Sequence, residues 1–189
     1  MGRKVIIGVM GGNESVGALA AEAAEVGAAI TRSESILLTG GSCIESTDIK
    51  HAAMLGAKKE SLRHPDRIAR LIGILPKKCQ EWDESIPHTL FLRTNLGSVE
   101  RDPITGTTPD VLVFFAGSCG TLCELAFALQ ANRKVLFWKA VPKLLEKYDK
   151  HTERDTELDQ VLRTGLEACR SKLSSVQGIT ADTTVATLK

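Results

Sequence analysis

Short apolar runs rich in β-branched residues alternate along this chain with longer segments that carry apolar residues at helical spacing. Parallel strands need long, usually helical, connections, so this alternation is typical of an α/β fold with a parallel sheet. The predicted fold class is a Rossmann-like, doubly wound α/β domain with a mostly parallel sheet and helices on both faces. We expect its strands at Lys4–Val9, Ser35–Leu38, Leu71–Leu75, Thr89–Leu92, Val111–Phe115 and Lys134–Trp138.

Helices are predicted in the crossovers, at Ser15–Thr31, Asp48–Glu60, Ser98–Thr105 and Thr121–Ala131. The last carries an apolar stripe of Leu122, Leu125, Ala126 and Leu129, which we expect to cover the sheet. The alternative is that this stripe and the Ala-rich first helix supply flat, self-complementary surfaces for a two-fold dimer.

The pattern predicts one domain over residues 1–189, with a core of about residues 1–140 and a helical extension at 141–189. In the extension we expect helices at Val141–Lys147 and Glu157–Leu173, followed by a polar tail that is either a short edge strand around Val176–Ile179 or loose. The one long loop inside the core pattern, Lys77–Pro87, is either a lid or a plain surface excursion.

Charge and cysteine usage exclude several classes of partner. The chain has 24 Lys and Arg against 23 Asp and Glu, a net charge of +1, so no basic field draws it to nucleic acid or to a membrane surface. No apolar run approaches the length of a membrane span, and we expect a cytoplasmic protein. The 5 cysteines have no C-x-x-C spacing, so we expect neither a disulfide framework nor a metal site.

Glycine-rich loops follow the first, second and fifth predicted strands. In a parallel sheet these loops share the carboxyl edge, where open α/β sheets bind ligands. Glycine lets backbone N–H groups approach a ligand, and a following helix N-terminus attracts phosphate. We therefore expect a cleft for a phosphate-bearing small molecule, built from Gly11, Gly12, Asn13, Thr39, Gly40, Gly41, Ser42, Gly117, Ser118, Cys119, Gly120 and Thr121.

Neither of the two common nucleotide-binding motifs is present in these loops. They do not match G-x-G-x-x-G, the dinucleotide pattern, or G-x-x-x-x-G-K-[ST], the P-loop pattern. We therefore expect no NAD and no P-loop nucleotide.

The segment Val111–Leu129, with Gly117-Ser118-Cys119-Gly120-Thr121 and Glu124, resembles the P-G-G-x-G-T-x-x-E motif of the Lonely Guy and lysine decarboxylase-like (SLOG) superfamily. In that family an arginine stands 23 residues before the glutamate, as Arg101 does before Glu124. Within the superfamily, the chain is most similar to molybdenum cofactor carrier proteins through Gly2–Gly11, Ile36–Gly41, His51–Lys58, Ile72–Pro76, Gly97–Asp102 and Val111–Leu136.

The resemblance implies a Rossmann-like protein that binds the molybdenum cofactor, a phosphorylated molybdopterin, without converting it. It also implies a homodimer or homotetramer, with molybdoenzymes or cofactor-synthesis proteins as partners. The enzyme alternative is a phosphoribohydrolase acting on nucleoside 5′-monophosphates, in which Arg101 and Glu124 would be catalytic. A ligand-sensing module is a third interpretation, disfavoured because no effector domain is attached.

The sequence departs from the family pattern at two turns. Ala116-Gly117-Ser118 stands in place of P-G-G, and the segment Ser42–Lys50 contains no glycine. Binding tolerates such changes better than catalysis does, so we favour a carrier over an enzyme.

Individual site residues have structural alternatives. Arg101 is either a solvated helix-start residue or, as we favour, a phosphate or ribose contact. Asp102 either orients Arg101 or caps a short helix before Pro103. Glu124 is either favoured by the dipole of its helix's first turn or bound to the ligand, and the sequence does not separate these. Packing, rather than contact with molybdenum, is expected of the cysteines Cys43, Cys119, Cys123 and Cys169.

Overall fold

The computed structural model describes residues 3–12, 18–41, 48–78, 89–117 and 119–138. Within these ranges the strands are β1 (Ile6–Met10), β2 (Ile36–Thr39), β3 (Arg70–Leu75), β4 (Thr89–Arg93), β5 (Val111–Phe114) and β6 (Lys134–Phe137). The helices are α1 (Ala18–Arg32), α2 (Ile49–Arg63), α3 (Ser98–Thr107) and α4 (Cys119–Gln130).

The strands form one sheet in the order β4-β3-β2-β1-β5-β6, and every neighbouring pair is parallel. The chain winds outward from β1 to β4 and then crosses back to β5 and β6 on the other side of β1. The predicted doubly wound α/β fold is therefore confirmed. The order reverses between β1 and β5, so the loops that follow these two strands lead to opposite faces and open a crevice between them.

Side-chain alternation along the strands divides the core into two layers. Ile7, Val9 and Leu37 pack on one face with α1 and α2. Met10, Leu38 and Leu112 pack on the other face, where Leu125 and Ala128 of α4 join them. The central strands are thus buried on both faces, which explains why they read as continuous apolar runs.

Two glycines let α1 and α2 approach closely. A Cβ at Gly27 would overlap the carbonyl oxygen of Ala53, and a Cβ at Gly56 would overlap that of Ala24. The Ala-rich face of α1 is therefore packed against α2 within the chain.

The apolar stripe of α4 faces the sheet, with Leu125 and Ala128 buried. The prediction that Ala126 belongs to this stripe is wrong, since Ala126 is exposed. One residue along a helix is a rotation of about 100°, which turns Ala126 away from the face that holds Leu125.

Helix starts refine the predicted bounds. Asp48 caps α2, and its carboxylate accepts a 2.7 Å hydrogen bond from the backbone N–H of His51. Gly97 is the N-cap of α3, so the capping role proposed for Asp102 is wrong: Asp102 lies inside the helix.

In the described residues no helix is both long enough and apolar enough to cross a membrane. The extension after Trp138, and nearly all of the loop Lys77–Pro87, lie outside the described residues.

Candidate functional site

The loops after β1 and β5 touch at the point where the strand order reverses. The backbone N–H of Gly12 donates a 3.1 Å hydrogen bond to the carbonyl of Ala116. A Cβ at Gly117 would overlap the side chain of Thr121 and lie 2.9 Å from the Gly12 nitrogen. Only glycine fits at position 117, and the β1 loop and the start of α4 form one surface.

Gly11, the first residue of the β1 loop, packs against α2. A Cβ on Gly11 would lie 2.9 Å from the Cβ of Ile49, the first residue of that helix. This glycine therefore serves the close approach of loop and helix, which brings the start of α2 to the same crevice.

The loop after β2 closes on itself. Thr39 is fully buried, and its Oγ1 accepts a 3.1 Å hydrogen bond from the backbone N–H of Gly41. Gly41 has a φ of +71°, a left-handed conformation that glycine adopts without strain. The structure therefore uses Thr39 and Gly41 to form the turn, whereas Gly40 lies against the guanidinium of Arg101.

Arg101 joins α3 to the carboxyl ends of two strands. Its Nη1 donates to the carbonyl of Gly40 after β2 and, at 3.0 Å, to the carbonyl of Ile74 in β3. The residue is only 8% exposed, so its interpretation as a solvated helix-start residue is wrong. Its Nε is buried and has no hydrogen-bond partner within the described ranges.

Asp102 is the neighbouring buried charge. Its Oδ1 lies 3.9 Å from the Nη2 of Arg101, whereas its buried Oδ2 has no hydrogen-bond partner among the residues that the structure describes. Burial raises the pKa of Asp102 to about 6, against the opposing charges of Arg101 and Lys50. A carboxyl group in this state can accept or donate a hydrogen bond near neutral pH.

Glu124 places a second buried carboxyl on α4. The Thr105 hydroxyl donates a 2.8 Å hydrogen bond to its Oε1. Burial raises the pKa of Glu124 to about 7, and the charge of Asp102 adds to the effect despite the hydrogen bond from Thr105. Because α4 begins at Cys119, Glu124 lies in its second turn, and the dipole of the first turn does not account for its position.

Sequence reasoning missed Lys50 and Asp48. The Lys50 Nζ lies 3.5 Å from the Asp48 Oδ2, and both side chains are largely buried. The Lys50 charge lowers the pKa values of both Asp102 and Glu124, which brings the start of α2 into the site. The N-cap pattern from Asp48 to His51, directly after the second glycine loop, was the signal that could have identified them.

The cysteines of α4 differ from expectation in one case. Cys119 is exposed, which contradicts the packing role predicted for it, because the first turn of α4 stands at the rim of the sheet. Cys123 is half-buried, and burial together with the charge of Asp102 raises the pKa of its thiol. No metal-binding cluster of His, Cys, Asp and Glu occurs in the part of the chain that the structure describes.

The structure thus brings Arg101, Asp102, Glu124 and Gly120 together at the rim of the sheet, next to Gly40 and Cys123. Asn13, Ser42, Cys43 and Ser118 lie outside the described residues. A site with a buried arginine, two carboxyl groups that titrate near neutrality and glycine-rich turns suits a polar ligand bearing both hydrogen-bond donors and acceptors.

Comparison with known proteins gives a family. The model of the SLOG cluster4 family matches residues 4–171. Among curated proteins, none matches the sequence.

Several solved structures are similar. The Moco carrier protein of Chlamydomonas reinhardtii is 30% identical, with 98% of each chain covered and a TM-score of 0.64. The molybdenum cofactor binding protein of Rippkaea orientalis is 29% identical over 78% of this chain and 84% of that one, also with a TM-score of 0.64. DNA processing protein A of Helicobacter pylori is 10% identical over 97% of this chain and 80% of that one, and its TM-score of 0.59 shows a shared fold alone. On the match of the family model, this chain belongs to the SLOG cluster4 family.

Proposed function

We propose that this protein binds the molybdenum cofactor in the crevice between the loops after β1, β2 and β5, and carries it without chemical conversion. Similarity to the Chlamydomonas carrier protein over nearly the whole of both chains supports this function. The cofactor is cargo here: a phosphorylated pterin whose dithiolene sulfurs hold molybdenum. The phosphate would be held by backbone N–H groups of the glycine-rich loops after β1 and β2, with Lys50 supplying positive charge.

The observation that carries the choice of carriage over catalysis is the engagement of Arg101. A phosphoribohydrolase needs its arginine and glutamate at the reacting carbon, and a misplacement of about 1 Å costs on the order of 10²-fold in rate. Here the Nη1 of Arg101 is bonded to the carbonyls of Gly40 and Ile74, and Glu124 is bonded to Thr105. These contacts favour a rigid binding surface over a reactive pair.

Co-purification tests the proposal. The protein, mixed with molybdenum cofactor released from a molybdoenzyme, is separated by size exclusion, and bound pterin and molybdenum are quantified. We expect stoichiometric retention, and loss of retention by about tenfold or more in Arg101→Gln. The matched control is Arg133→Gln, because Arg133 also donates to a backbone carbonyl, that of Thr107, outside the site. Absence of the cofactor from the protein fraction would contradict carriage.

Hydrolysis of nucleoside 5′-monophosphates is the second candidate, favoured by one observation: the charges of Arg101 and Glu124 interact in the same buried site. We expect little or no free base from AMP or cytokinin monophosphates. Release of free base that disappears in Glu124→Gln would favour the enzyme.

We further propose that the carrier acts in the cytoplasm as a homodimer or homotetramer that exchanges its cargo with molybdoenzymes or cofactor-synthesis proteins. Exposed apolar side chains on the edge strand β4 and at the start of α3, namely Leu90, Leu92 and Val99, support self-association. Light scattering at micromolar concentration would contradict the assembly if it gave the mass of one chain.

A further inference from the structure

The unsatisfied oxygen of Asp102 is the strongest unexplained polar feature of the molecule. The residue is 3% exposed, and its Oδ2 has no hydrogen-bond donor from the described residues. Leaving a buried charged acceptor without a donor is costly, so such atoms in native structures call for an explanation. A ligand that brings a donor would remove this cost.

The neighbouring cations do not supply that donor. Arg101 faces the other carboxyl oxygen, Oδ1, at 3.9 Å, and directs its Nη1 to backbone carbonyls. Lys50 lies against Asp48. Gly120 of α4 lies beside this oxygen, since a Cβ at Gly120 would stand 3.6 Å from Oδ2. The missing side chain leaves this oxygen facing the first turn of α4, next to the exposed residue Cys119.

The negative charge of Asp102 determines which part of a ligand can bind beside the first turn of α4. A phosphate at the first turn of α4 would meet the negative charge of Asp102, and Glu124 adds a second acidic group nearby. A neutral heterocycle with ring N–H or amino groups would instead donate to the carboxylate. The raised pKa of Asp102, about 6, agrees with an acceptor that lacks donors in the free protein.

We propose that Asp102 is a specificity-determining residue that accepts a hydrogen bond from an N–H group of the ligand's heterocycle, seated against Gly120. The class of ligand is a nitrogen heterocycle with adjacent N–H and amino donors, as in pterin or guanine. The identity of the natural ligand, the molybdenum cofactor, rests on the proposed function. It orients that ligand, with the ring at α3 and α4 and the phosphate along the loops after β1 and β2.

The experiment compares three probes by calorimetry: pterin, which carries the donors; 1,3-dimethyllumazine, a pteridine whose ring N–H groups are methylated; and inorganic phosphate. Guanosine is a fourth probe, because it carries the same donors on another ring. In the unmodified protein we expect pterin to bind about 10- to 100-fold more tightly than 1,3-dimethyllumazine, the range for a hydrogen bond to a charged group. A preference for guanosine over pterin would identify the ligand as a purine.

Two variants isolate the contact. Asp102→Asn should reduce the preference for pterin about tenfold or more, while phosphate binds equally or more tightly because a negative charge is removed. Gly120→Ala keeps Asp102 but sets a methyl group 3.6 Å from Oδ2, a distance that the free protein tolerates, so the fold should persist while pterin affinity falls. The control is Asp66→Asn, which removes an exposed carboxylate in the turn after α2.

Retention of the pterin preference in Asp102→Asn would overturn the role of Asp102, as would unchanged pterin affinity in Gly120→Ala or a parallel loss of phosphate binding. These outcomes are distinct from failure of the proposed function. Selective pterin or guanosine binding that depends on Asp102, in a protein that does not retain molybdenum cofactor, would leave the contact standing and remove the carrier.

Discussion

Thr105 and Glu124 join α3 to α4 inside the protein through a 2.8 Å hydrogen bond from the Thr105 hydroxyl to the Glu124 carboxyl group. Both residues are buried, so the bond fixes the position of the Glu124 carboxyl group within the site. Burial raises the pKa of Glu124 and the hydrogen bond from Thr105 lowers it by less. The carboxyl group therefore titrates near pH 7. Protonation of this site therefore couples to stability.

The free energy of unfolding should decrease as the pH rises, because Glu124 and Asp102 both have raised pKa values in the folded protein. The pKa of Glu124 is about 7 in the folded protein against an ordinary 4.5, and that of Asp102 is about 6 against 3.8. Their contribution is complete below pH 4 and is lost as the pH rises through 7, since the unfolded chain releases these protons first. Urea unfolding at pH 5 and pH 8 should show a smaller decline for Glu124→Gln than for the unmodified protein.

The control for this measurement is Asp66→Asn, which removes the same charge at an exposed position in the turn after α2. Its decline with pH should resemble that of the unmodified protein. An unchanged decline in Glu124→Gln would show that this carboxyl group does not titrate in the proposed range.

Gly56→Ala should destabilise the protein by roughly 1–3 kcal/mol or more, the cost of overpacking a tight interface. The new methyl group would overlap the carbonyl of Ala24, so α1 and α2 must separate. Gly120→Ala is the matched helix substitution without overlap and should be neutral or stabilising by up to about 1 kcal/mol through helix propensity. The midpoint of thermal unfolding should therefore fall in Gly56→Ala and stay the same or rise in Gly120→Ala.

Much of this architecture could be predicted from the sequence, for a physical reason. Central strands such as β1 and β5 are buried on both faces, so they appear as apolar runs, and their ends fall within two residues of the predicted ones. Helix starts were predicted about as well, at Ser98 for α3 and one residue early for α2. The start of α4 at Cys119, two residues before the predicted Thr121, depends on a loop conformation that local propensity does not encode.

The site was predictable in its location but not in its partners. Glycines after parallel strands identify the binding edge, and a fixed spacing pairs Arg101 with Glu124. The contacts of Arg101 with the carbonyls of Gly40 and Ile74 join residues 61 and 27 positions apart, and no local pattern reports such contacts. The same holds for Lys50, whose approach to the carboxyl groups depends on how α2 packs against the sheet.

Arg101→Lys should lower stability by about 1.5–3 kcal/mol, the range for hydrogen bonds that involve charged groups. The lysine side chain keeps the charge but is shorter and lacks the planar guanidinium group that holds Nη1 between the carbonyls of Gly40 and Ile74. Arg133→Lys is the control, since Arg133 donates to the Thr107 carbonyl from a partly exposed position. Equal unfolding midpoints for the two variants would contradict a bridging role for Arg101.

Thiol reactivity should distinguish the two described cysteines of α4. Cys119 is exposed, whereas Cys123 is half-buried and has a raised pKa, so alkylation at pH 7.5 should modify Cys119 first. Ligand seated against Gly120 should slow the reaction at Cys119. Peptide mapping by mass spectrometry after timed exposure to iodoacetamide, with and without pterin, measures both effects; faster modification of Cys123 would contradict the described burial.

The most direct test of the central claim is to measure which cofactor the protein carries when it is purified from cells. Protein produced in cells that make molybdenum cofactor is purified without added ligand, and molybdenum and oxidised pterin are quantified in the same fraction. We predict close to one molybdenum and one pterin per chain, retained in Glu100→Gln and strongly reduced in Arg101→Gln. A fraction free of both, together with release of free base from AMP that depends on Glu124, would contradict carriage and favour the hydrolase.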